Sequence, residues 1–319
     1  MTMSEQDRDS NQTHAYPAGT TAVRSSLHFQ SPIQVEVAGL SHPGNVRSKN
    51  EDHYYIARFG RFLETLHTNV SSGEGLTRSE ESNYGILVAD GIGGGSSGEV
   101  ASQEAIHVLL SLVLQAPDWI LRPQDETATE QILRRAATRI SQINQALGQH
   151  AQENSALHGF GTTFTAAWNL GMHLFVTHVG DSRAYLARGG KMEQLTHDHT
   201  FAQDMVDRGM IASVEASPLR LRHVLTRALG DTGVEGTPQL CQIDLKDGDT
   251  LLVCTDGLTD MVPDDQIGPT LTGAETCEAA CRQLLENALR AGGKDNITIA
   301  VARYRTTERQ PPTDQTNNR

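Results

Sequence analysis

The chain has no excess of positive charge, no long apolar run and few cysteines. With 26 Lys and Arg against 39 Asp and Glu, the formal net charge is −13, which argues against a surface for nucleic acid or anionic membranes. The longest apolar stretch, residues 105–114, is too short to cross a bilayer and predicts a buried helix. Residues 1–30 lack the apolar core of a signal peptide. Proteins and small molecules therefore remain as partners.

The four cysteines show no paired spacing of the kind found in secreted disulfide scaffolds. A chain of 319 residues can bury a sizeable core and does not need such a scaffold. We therefore expect a cytoplasmic protein.

Polar segments indicate the domain boundaries. Residues 1–33 and 305–319 are rich in small polar residues and predict disordered tails around one domain at 34–304. Residues 68–83 form a third polar segment and predict a surface loop or insertion. Residues 198–227 are charged and weakly patterned, and we expect them to form a flap.

Apolar periodicity predicts two sequential helices, at residues 98–115 and 129–149. Strand-like runs separated by turn residues then predict an antiparallel meander, with strands at 163–168, 174–179, 183–187 and 192–195.

Two runs, residues 86–89 and 251–254, are continuously apolar. Both faces of such strands must be covered, by a second sheet on one side and by helices on the other. The sequence therefore predicts an α+β fold, namely a four-layer αββα sandwich in which helices flank two central antiparallel sheets.

Carboxylates stand where four strand-like runs begin or end. Asp90 and Asp256 follow such runs, whereas Glu51 and Asp295 precede them. Antiparallel neighbours would bring all four to one edge, where they repel one another unless a cation neutralises them. Oxygen ligands alone select a hard cation, Mg²⁺ or Mn²⁺. The pattern predicts a binuclear metal centre, although a single Asp-Gly pair is by itself typical of a plain turn.

Six short motifs carry a family resemblance: Arg47-Ser48-Lys49-Asn50-Glu51-Asp52, Asp90-Gly91-Ile92-Gly93-Gly94, Gly161-Thr162-Thr163, Gly180-Asp181-Ser182-Arg183, Thr255-Asp256-Gly257 and Gly293-Lys294-Asp295-Asn296. Together, and in this order, they make residues 38–304 resemble the metal-dependent protein phosphatases of the protein phosphatase 2C class, in their bacterial form.

The resemblance implies two core cations, Mn²⁺ or Mg²⁺. Asp90 would bridge them, Glu51 and the carbonyl oxygen of Gly91 would bind one, and Asp256 and Asp295 would bind the other. Asp52 would hold a water molecule on a metal ion.

The resemblance also implies a phosphate-binding Arg47 and a third, weaker metal site formed by Asp181 and Asp260. A planar, permanently charged guanidinium suits phosphate. Two simpler interpretations stay open, because Arg47 could be a solvated surface residue and Gly180-Asp181 could be only a hairpin turn. At Ile92 the chain departs from eukaryotic relatives, which carry a proposed general-acid histidine there.

Two glycine-rich patterns suggest other chemistry. Residues 94–98 match a serine-hydrolase elbow and residues 93–98 match a dinucleotide-binding fingerprint. However, Ser96 lies seven residues beyond Ala89 instead of at the end of the strand. The nearest acid for a dinucleotide site, Asp118, does not end a second strand. Neither pattern explains the other carboxylates.

A cysteine phosphatase is a further alternative, because Cys254 lies two residues before Asp256. That chemistry needs a thiolate of low pKa and usually an Arg six positions later. The residues six positions beyond the four cysteines are not cationic. Cys254 also ends an apolar run, so we expect it to fill the core.

We therefore predict a serine/threonine phosphoprotein phosphatase that hydrolyses phosphoserine and phosphothreonine with a metal-activated water. Its partners would be phosphorylated proteins, the substrates of a serine/threonine kinase, and we expect a monomer active in signal transduction. Three alternatives stay open: a signalling module that binds without turnover, a serine hydrolase using Ser96, and a narrower role in a partner-switching pathway.

Overall fold

The computed structural model describes residues 33–64, 66–67, 78–93, 97–116, 126–230, 233 and 236–306. Most of the predicted tails at 1–33 and 305–319, namely residues 1–32 and 307–319, lies outside the described residues, as does Ser96. The strands are β1 (Ile33–His42), β2 (His53–Glu64), β3 (Arg78–Ala89), β4 (Gly91–Ile92), β5 (Gly161–Thr162), β6 (Phe164–Leu170), β7 (His173–Val179), β8 (Arg183–Arg188), β9 (Lys191–Gln194), β10 (Leu229–Gly230), β11 (Gln239–Asp244), β12 (Thr250–Cys254) and β13 (Ile297–Thr306). The helices are α1 (Ser97–Gln115), α2 (Glu126–Glu153), α3 (Phe201–Asp207), α4 (Leu219–Arg222), α5 (Asp256–Thr259), α6 (Asp264–Gly273) and α7 (Cys277–Arg290).

The strands form two large antiparallel sheets and a small one. The first sheet has the order β2-β3-β6-β7-β11, and the second has the order β1-β13-β12-β8-β9. The small sheet joins β4, β5 and β10.

Successive side chains of the apolar strands β3 and β12 point alternately to the other sheet and to the helices, and this produces the four layers. In β3, Ile86 and Val88 belong to the core shared by the two sheets, whereas Leu87 packs with residues of α1 and α2. In β12, Val253 belongs to the shared core, whereas Leu252 packs with residues of α6 and α7. Successive side chains of a strand point to opposite faces, so each strand contributes to two cores. The predicted αββα sandwich is confirmed, as are the first two helices to within a few residues.

The predicted antiparallel meander is wrong at its middle connection, whereas its first and last strand pairs form as expected. Strands β6 and β7 pair as expected, but β8 leaves the first sheet and pairs with β12 and β9 in the second. The chain crosses between the sheets at Gly180, whose φ of +112° favours glycine. Because β12 lies between β8 and β13, its buried backbone groups are paired on both sides.

The predicted polar loop at residues 68–83 is also wrong in its second half, where residues 78–83 form the start of β3. This polar stretch pairs with β2, and charged pairs cross between the strands. Arg58 lies 3.4 Å from Glu80, and Arg61 lies 3.7 Å from Glu81. Such cross-strand pairs stabilise a strand that lacks apolar alternation. The rest of the predicted loop, residues 68–77, lies outside the described residues.

The strands also run slightly past the predicted domain limits. Ile33 pairs with Thr306 at the edge of the second sheet, so both belong to the folded domain. In the part of the chain that the structure describes, no helix combines the length and apolar character needed to span a membrane.

Candidate metal centre

A cleft of about 430 Å³ lies at one end of the sandwich. Five carboxylates line it: Glu51, Asp90, Asp181, Asp256 and Asp295. Four of them come in two pairs, because β2 begins beside the end of β3 and β13 begins beside the end of β12. The expectation that strand ends bring these acids together is correct, but the pairs belong to different sheets.

Asn296 fixes the segment that carries Glu51. Its side-chain oxygen accepts a hydrogen bond from the backbone N–H of Glu51 at 2.8 Å. Its amide nitrogen donates to the carbonyl oxygens of Pro43 at 3.1 Å and Lys49 at 2.8 Å. The sequence reasoning gave this residue no role. Asn296 ties the loop before β2 to the loop before β13.

Asp52 is buried behind the wall of the cleft, with 4% of its surface exposed. The hydroxyls of Thr255 and Thr298 each donate to its Oδ2 at 2.8 Å. Its Oδ1 is buried with no hydrogen-bond partner. Burial raises the pKa of Asp52 to about 7, although the two hydroxyls oppose that shift.

Thr163 positions both Asp90 and the turn that carries Asp181. Its backbone N–H donates to the carbonyl of Asp90, and its hydroxyl accepts from the Asp90 N–H, both at 2.9 Å. The same hydroxyl lies 2.7 Å from the hydroxyl of Ser182. The Gly-Thr-Thr motif therefore links two acid-bearing turns.

Gly91 is required by a close approach of backbone to backbone. A Cβ atom at this position would overlap the carbonyl of Gly98 at the start of α1 and come 2.7 Å from the carbonyl oxygen of Glu51. A Cβ atom on Gly98 would in turn lie 3.1 Å from the Glu51 carboxylate. The two glycines let α1 begin directly against the Glu51 segment.

Arg47 lies at the mouth of the cleft and pairs with Asp295. Its Nη2 lies 2.6 Å from Asp295 Oδ2; the Arg47 side chain is exposed and the Asp295 side chain is partly buried. The other oxygen of Asp295 accepts from the backbone N–H of Asn296 at 2.8 Å. Hydrogen bonding to Asp295 raises the pKa of Arg47, so its positive charge is secure.

His223 is a cleft residue that the sequence reasoning missed. It ends α4 inside the predicted flap, where only one helical turn precedes it. Its Nδ1 lies 3.4 Å from Asp256 Oδ2, and its Nε2 lies 3.5 Å from Asp260 Oδ2. Hydrogen bonding to Asp256 and the charge of Asp260 raise the pKa of His223 to about 9. The predicted flap therefore supplies a basic group to the cleft.

The negative charges of the carboxylates at the cleft are only partly neutralised by other groups of the protein. Burial, followed by neighbouring carboxylates, holds the pKa values of Asp90 and Asp181 well above their usual range. Burial also raises the pKa of Asp260 to about 6. The Oδ1 atoms of Asp52 and Asp256 are buried without partners. Oxygen donors this crowded and this incompletely bonded fit a hard divalent cation.

The sequence profile of the family Protein phosphatase 2C matches residues 53–297. The chain belongs to the protein phosphatase 2C family. This result confirms the resemblance on which the site residues were assigned.

Two similar proteins within the family are named serine/threonine phosphatases. The chain is 39% identical over 248 residues to the serine/threonine protein phosphatase PstP of Mycobacterium tuberculosis, a match that covers 76% of this chain and 46% of that protein. The chain thus spans about half the length of that relative. It is 31% identical over 245 residues to the serine/threonine phosphatase stp of Listeria monocytogenes, covering 76% of this chain and 93% of that protein.

A solved structure of the PstP catalytic domain, in complex with two manganese ions, is similar to this chain. The TM-score is 0.65 and the sequence identity 33%, over 86% of this chain and 99% of that one. The four-layer fold predicted from sequence is thus the fold of the family.

The structure brings seven of the nine predicted site residues to the cleft wall: Arg47, Glu51, Asp90, Gly91, Asp181, Asp256 and Asp295. The eighth, Asp52, lies behind the wall, and the ninth, Asp260, joins the cluster through His223. Their individual roles remain predictions.

Proposed function

We propose that this protein is a serine/threonine phosphoprotein phosphatase, which hydrolyses phosphoserine and phosphothreonine in proteins. The observation that carries the proposal is the cleft itself, where five carboxylates converge beside the guanidinium of Arg47. The phosphatase relatives and the manganese-containing PstP structure support it.

Two Mn²⁺ or Mg²⁺ ions would be held by the two acid pairs. Glu51, Asp90 and the carbonyl oxygen of Gly91 would bind one, and Asp90, Asp256 and Asp295 would bind the other. When bound, the ions would neutralise phosphoryl oxygens and would lower the pKa of a water molecule, so that it can lose a proton to solvent and attack phosphorus at neutral pH.

Arg47 would bind the phosphoryl group. Its Nη2 contact with Asp295 orients the side chain at the mouth of the cleft, where its planar fork can donate hydrogen bonds to phosphoryl oxygens. Charge builds up on these oxygens during transfer, so a fixed cation at this place lowers the barrier.

Asp52 would orient the attacking water. Both threonine hydroxyls donate to Oδ2, so the unpartnered Oδ1 is the oxygen available to accept a hydrogen bond from water. Asn296 acts indirectly, by holding the Glu51 segment in place.

The cysteines offer no competing nucleophile. Burial raises the pKa of Cys254 to about 12, and that of Cys277 to about 11. Such thiols stay protonated at neutral pH and do not attack phosphorus. Cys254 packs in the core with residues of α6 and α7, which supports a filling role.

The cellular setting is part of the proposal. The protein would act as a cytoplasmic monomer in signal transduction and reverse the work of a serine/threonine kinase. The formal charge of −13 and the unpaired cysteine spacing support this setting.

Phosphate release from a phosphothreonine peptide tests the function. We expect release with Mn²⁺, none with excess chelator, and recovery when Mn²⁺ is restored. The matched control is Asp90→Asn, which keeps the shape of the side chain and removes its charge. Inactivity with and without Mn²⁺ would favour the binding module, whereas ester hydrolysis unaffected by chelator would favour a serine hydrolase.

A further inference from the structure

His199 is a buried histidine, between β9 and α3, that binds the turn before Asp181. Its backbone N–H donates to the carbonyl oxygen of Gly180 at 2.7 Å, and its Nδ1 accepts a hydrogen bond from the backbone N–H of Gly180 at 3.1 Å. The residue is 6% exposed and lies outside the lining of the cleft. One histidine therefore binds both backbone polar groups of the residue that precedes Asp181.

Gly180 also packs closely against Thr163. A Cβ atom on Gly180 would come 2.6 Å from the Thr163 side chain, and the φ of Gly180 is +112°. Thr163 in turn binds the backbone of Asp90 through two hydrogen bonds of 2.9 Å. His199 and Thr163 together therefore set where the Asp181 carboxylate enters the cleft.

His199 holds the returning part of the flap as well. Its carbonyl oxygen accepts a hydrogen bond from the backbone N–H of Thr226 at 2.8 Å, and the next residue, Thr200, forms a β-bridge with Leu225. Leu225 and His223 both line the cleft. The same buried residue therefore connects the flap to the turn on the cleft wall.

Two donors compete for the imidazole ring of His199. Arg227 Nη1 lies 3.2 Å from Nε2, whereas the Gly180 N–H faces Nδ1. Burial, followed by the stacked ring of His178, lowers the pKa of His199 to about 3, and a neutral imidazole has one acceptor nitrogen. Gly180 is buried and Arg227 is partly exposed, so an unpaired Gly180 N–H costs more. Nδ1 is therefore the acceptor, and Nε2 carries the proton.

We propose that His199 is a positioning residue for the hydrolysis of phosphate esters, which fixes the Asp181 turn through Nδ1 and joins that turn to the flap. It acts through the placement of Asp181 and His223. The inference rests on the proposed function, because its kinetic consequence requires turnover. Glu51 and Asp295 precede β2 and β13, so substitution of His199 should leave these two acids in place.

Nuclear magnetic resonance tests the geometry without an activity readout. In nitrogen-15-labelled wild-type protein with Mg²⁺, which is diamagnetic, the shifts of the ring nitrogens of His199 show which nitrogen carries the proton. We expect a protonated Nε2 and an unprotonated Nδ1, with a scalar coupling across the hydrogen bond from Nδ1 to Gly180 N. A protonated Nδ1 would overturn the proposal, whether or not any variant folds.

Variants of similar size separate hydrogen bonding from packing. His199→Asn places an amide oxygen near the position of Nδ1, whereas His199→Leu fills space and has no acceptor. We expect His199→Leu to lower kcat/KM for a phosphothreonine peptide about ten-fold or more, and His199→Asn to recover most of that loss. The loss should lie mainly in kcat, because phosphate binding by Arg47 does not depend on this turn.

The matched control is His173→Leu. His173 begins β7, at the opposite end of the strand from Gly180, and its partly exposed side chain contacts Asp244 at 2.8 Å. This variant should keep the kcat/KM of the wild type.

Wild-type kcat/KM in His199→Leu would overturn the proposal. Equal losses in His199→Leu and His199→Asn would also overturn it, because the ring would then only fill space. Recovery by His199→Gln instead, whose amide reaches the position of Nε2, would assign the acceptor to Arg227 and would overturn it as well. An inactive wild type with the expected tautomer would count against the proposed function alone.

Discussion

Asn296→Ala should destabilise the protein through the loop that carries Glu51. The residue is 6% exposed, and its side chain makes three hydrogen bonds to backbone groups of the segment 43–51. These bonds bridge more than 240 positions of sequence, since Glu51 and Asn296 are 245 residues apart. Their loss leaves one N–H and two carbonyls without these partners.

The magnitude follows from those three groups. A typical hydrogen bond contributes about 0.5–1.5 kcal/mol net, and a buried group left without a partner costs about 1–3 kcal/mol. Because part of the segment can reach water after the substitution, we expect the free energy of unfolding to fall by about 2–4 kcal/mol in total. Urea unfolding in the presence of chelator measures this fall in the free energy of unfolding without contributions from bound metal.

Two comparisons make the result specific. Asn287→Ala removes an amide from α7 whose oxygen accepts only a bond from exposed Arg290, so its effect should stay below about 0.5 kcal/mol. When Mn²⁺ is added, the gap between wild type and Asn296→Ala should widen, because a displaced Glu51 binds metal less well. The reasoning is refuted if Asn296→Ala unfolds within about 0.5 kcal/mol of the wild type.

Three other predictions concern the proposed centre. Asp90→Asn should abolish turnover of a phosphothreonine peptide and leave the circular dichroism spectrum unchanged; a purified variant with near wild-type rates would contradict the metal assignment. Arg47→Lys keeps the charge but loses the planar fork, so KM should rise by about ten-fold with a smaller change in kcat; an unchanged KM would argue against phosphate binding by Arg47. Burial raises the pKa of Asp52 to about 7, so in chelator its contribution to stability should be lost as the pH rises from about 4 to about 7, because the unfolded chain gives up this proton while the folded protein still holds it. Asp52→Asn should remove that contribution, so the difference in free energy of unfolding between wild type and variant should change across this range; a difference that stays constant between about pH 4 and about pH 7 would contradict the argument.

The placement of the core acids could be predicted because it depends on local signals. An apolar strand, a carboxylate and a glycine follow one another at Asp90 and at Asp256, and strand ends meet wherever antiparallel neighbours pair. Alternation also predicted the layers, because the two faces of a doubly buried strand need two different partners.

What the sequence did not predict depends on long-range contacts. The crossing at Gly180 sends β8 to the second sheet, and strand-like periodicity is the same in either sheet. The role of Asn296 depends on carbonyls about 250 positions earlier in the chain. His223 directly follows a four-residue helix that is too short for any periodic signal, so only long-range contacts bring it to Asp256.

The described cleft is built with a deficit of positive charge. Its wall carries five carboxylates but only two basic side chains, Arg47 and His223, and both come from the exposed rim. The deeper acids are positioned by neutral groups instead: hydroxyls bind Asp52, and Thr163 binds the backbone of Asp90. Neutral groups fix geometry without cancelling charge, so the acid cluster stays unfavourable until cations bind. Mn²⁺ should therefore stabilise the fold as it completes the site, and this stabilisation should grow with pH as the buried carboxylates ionise.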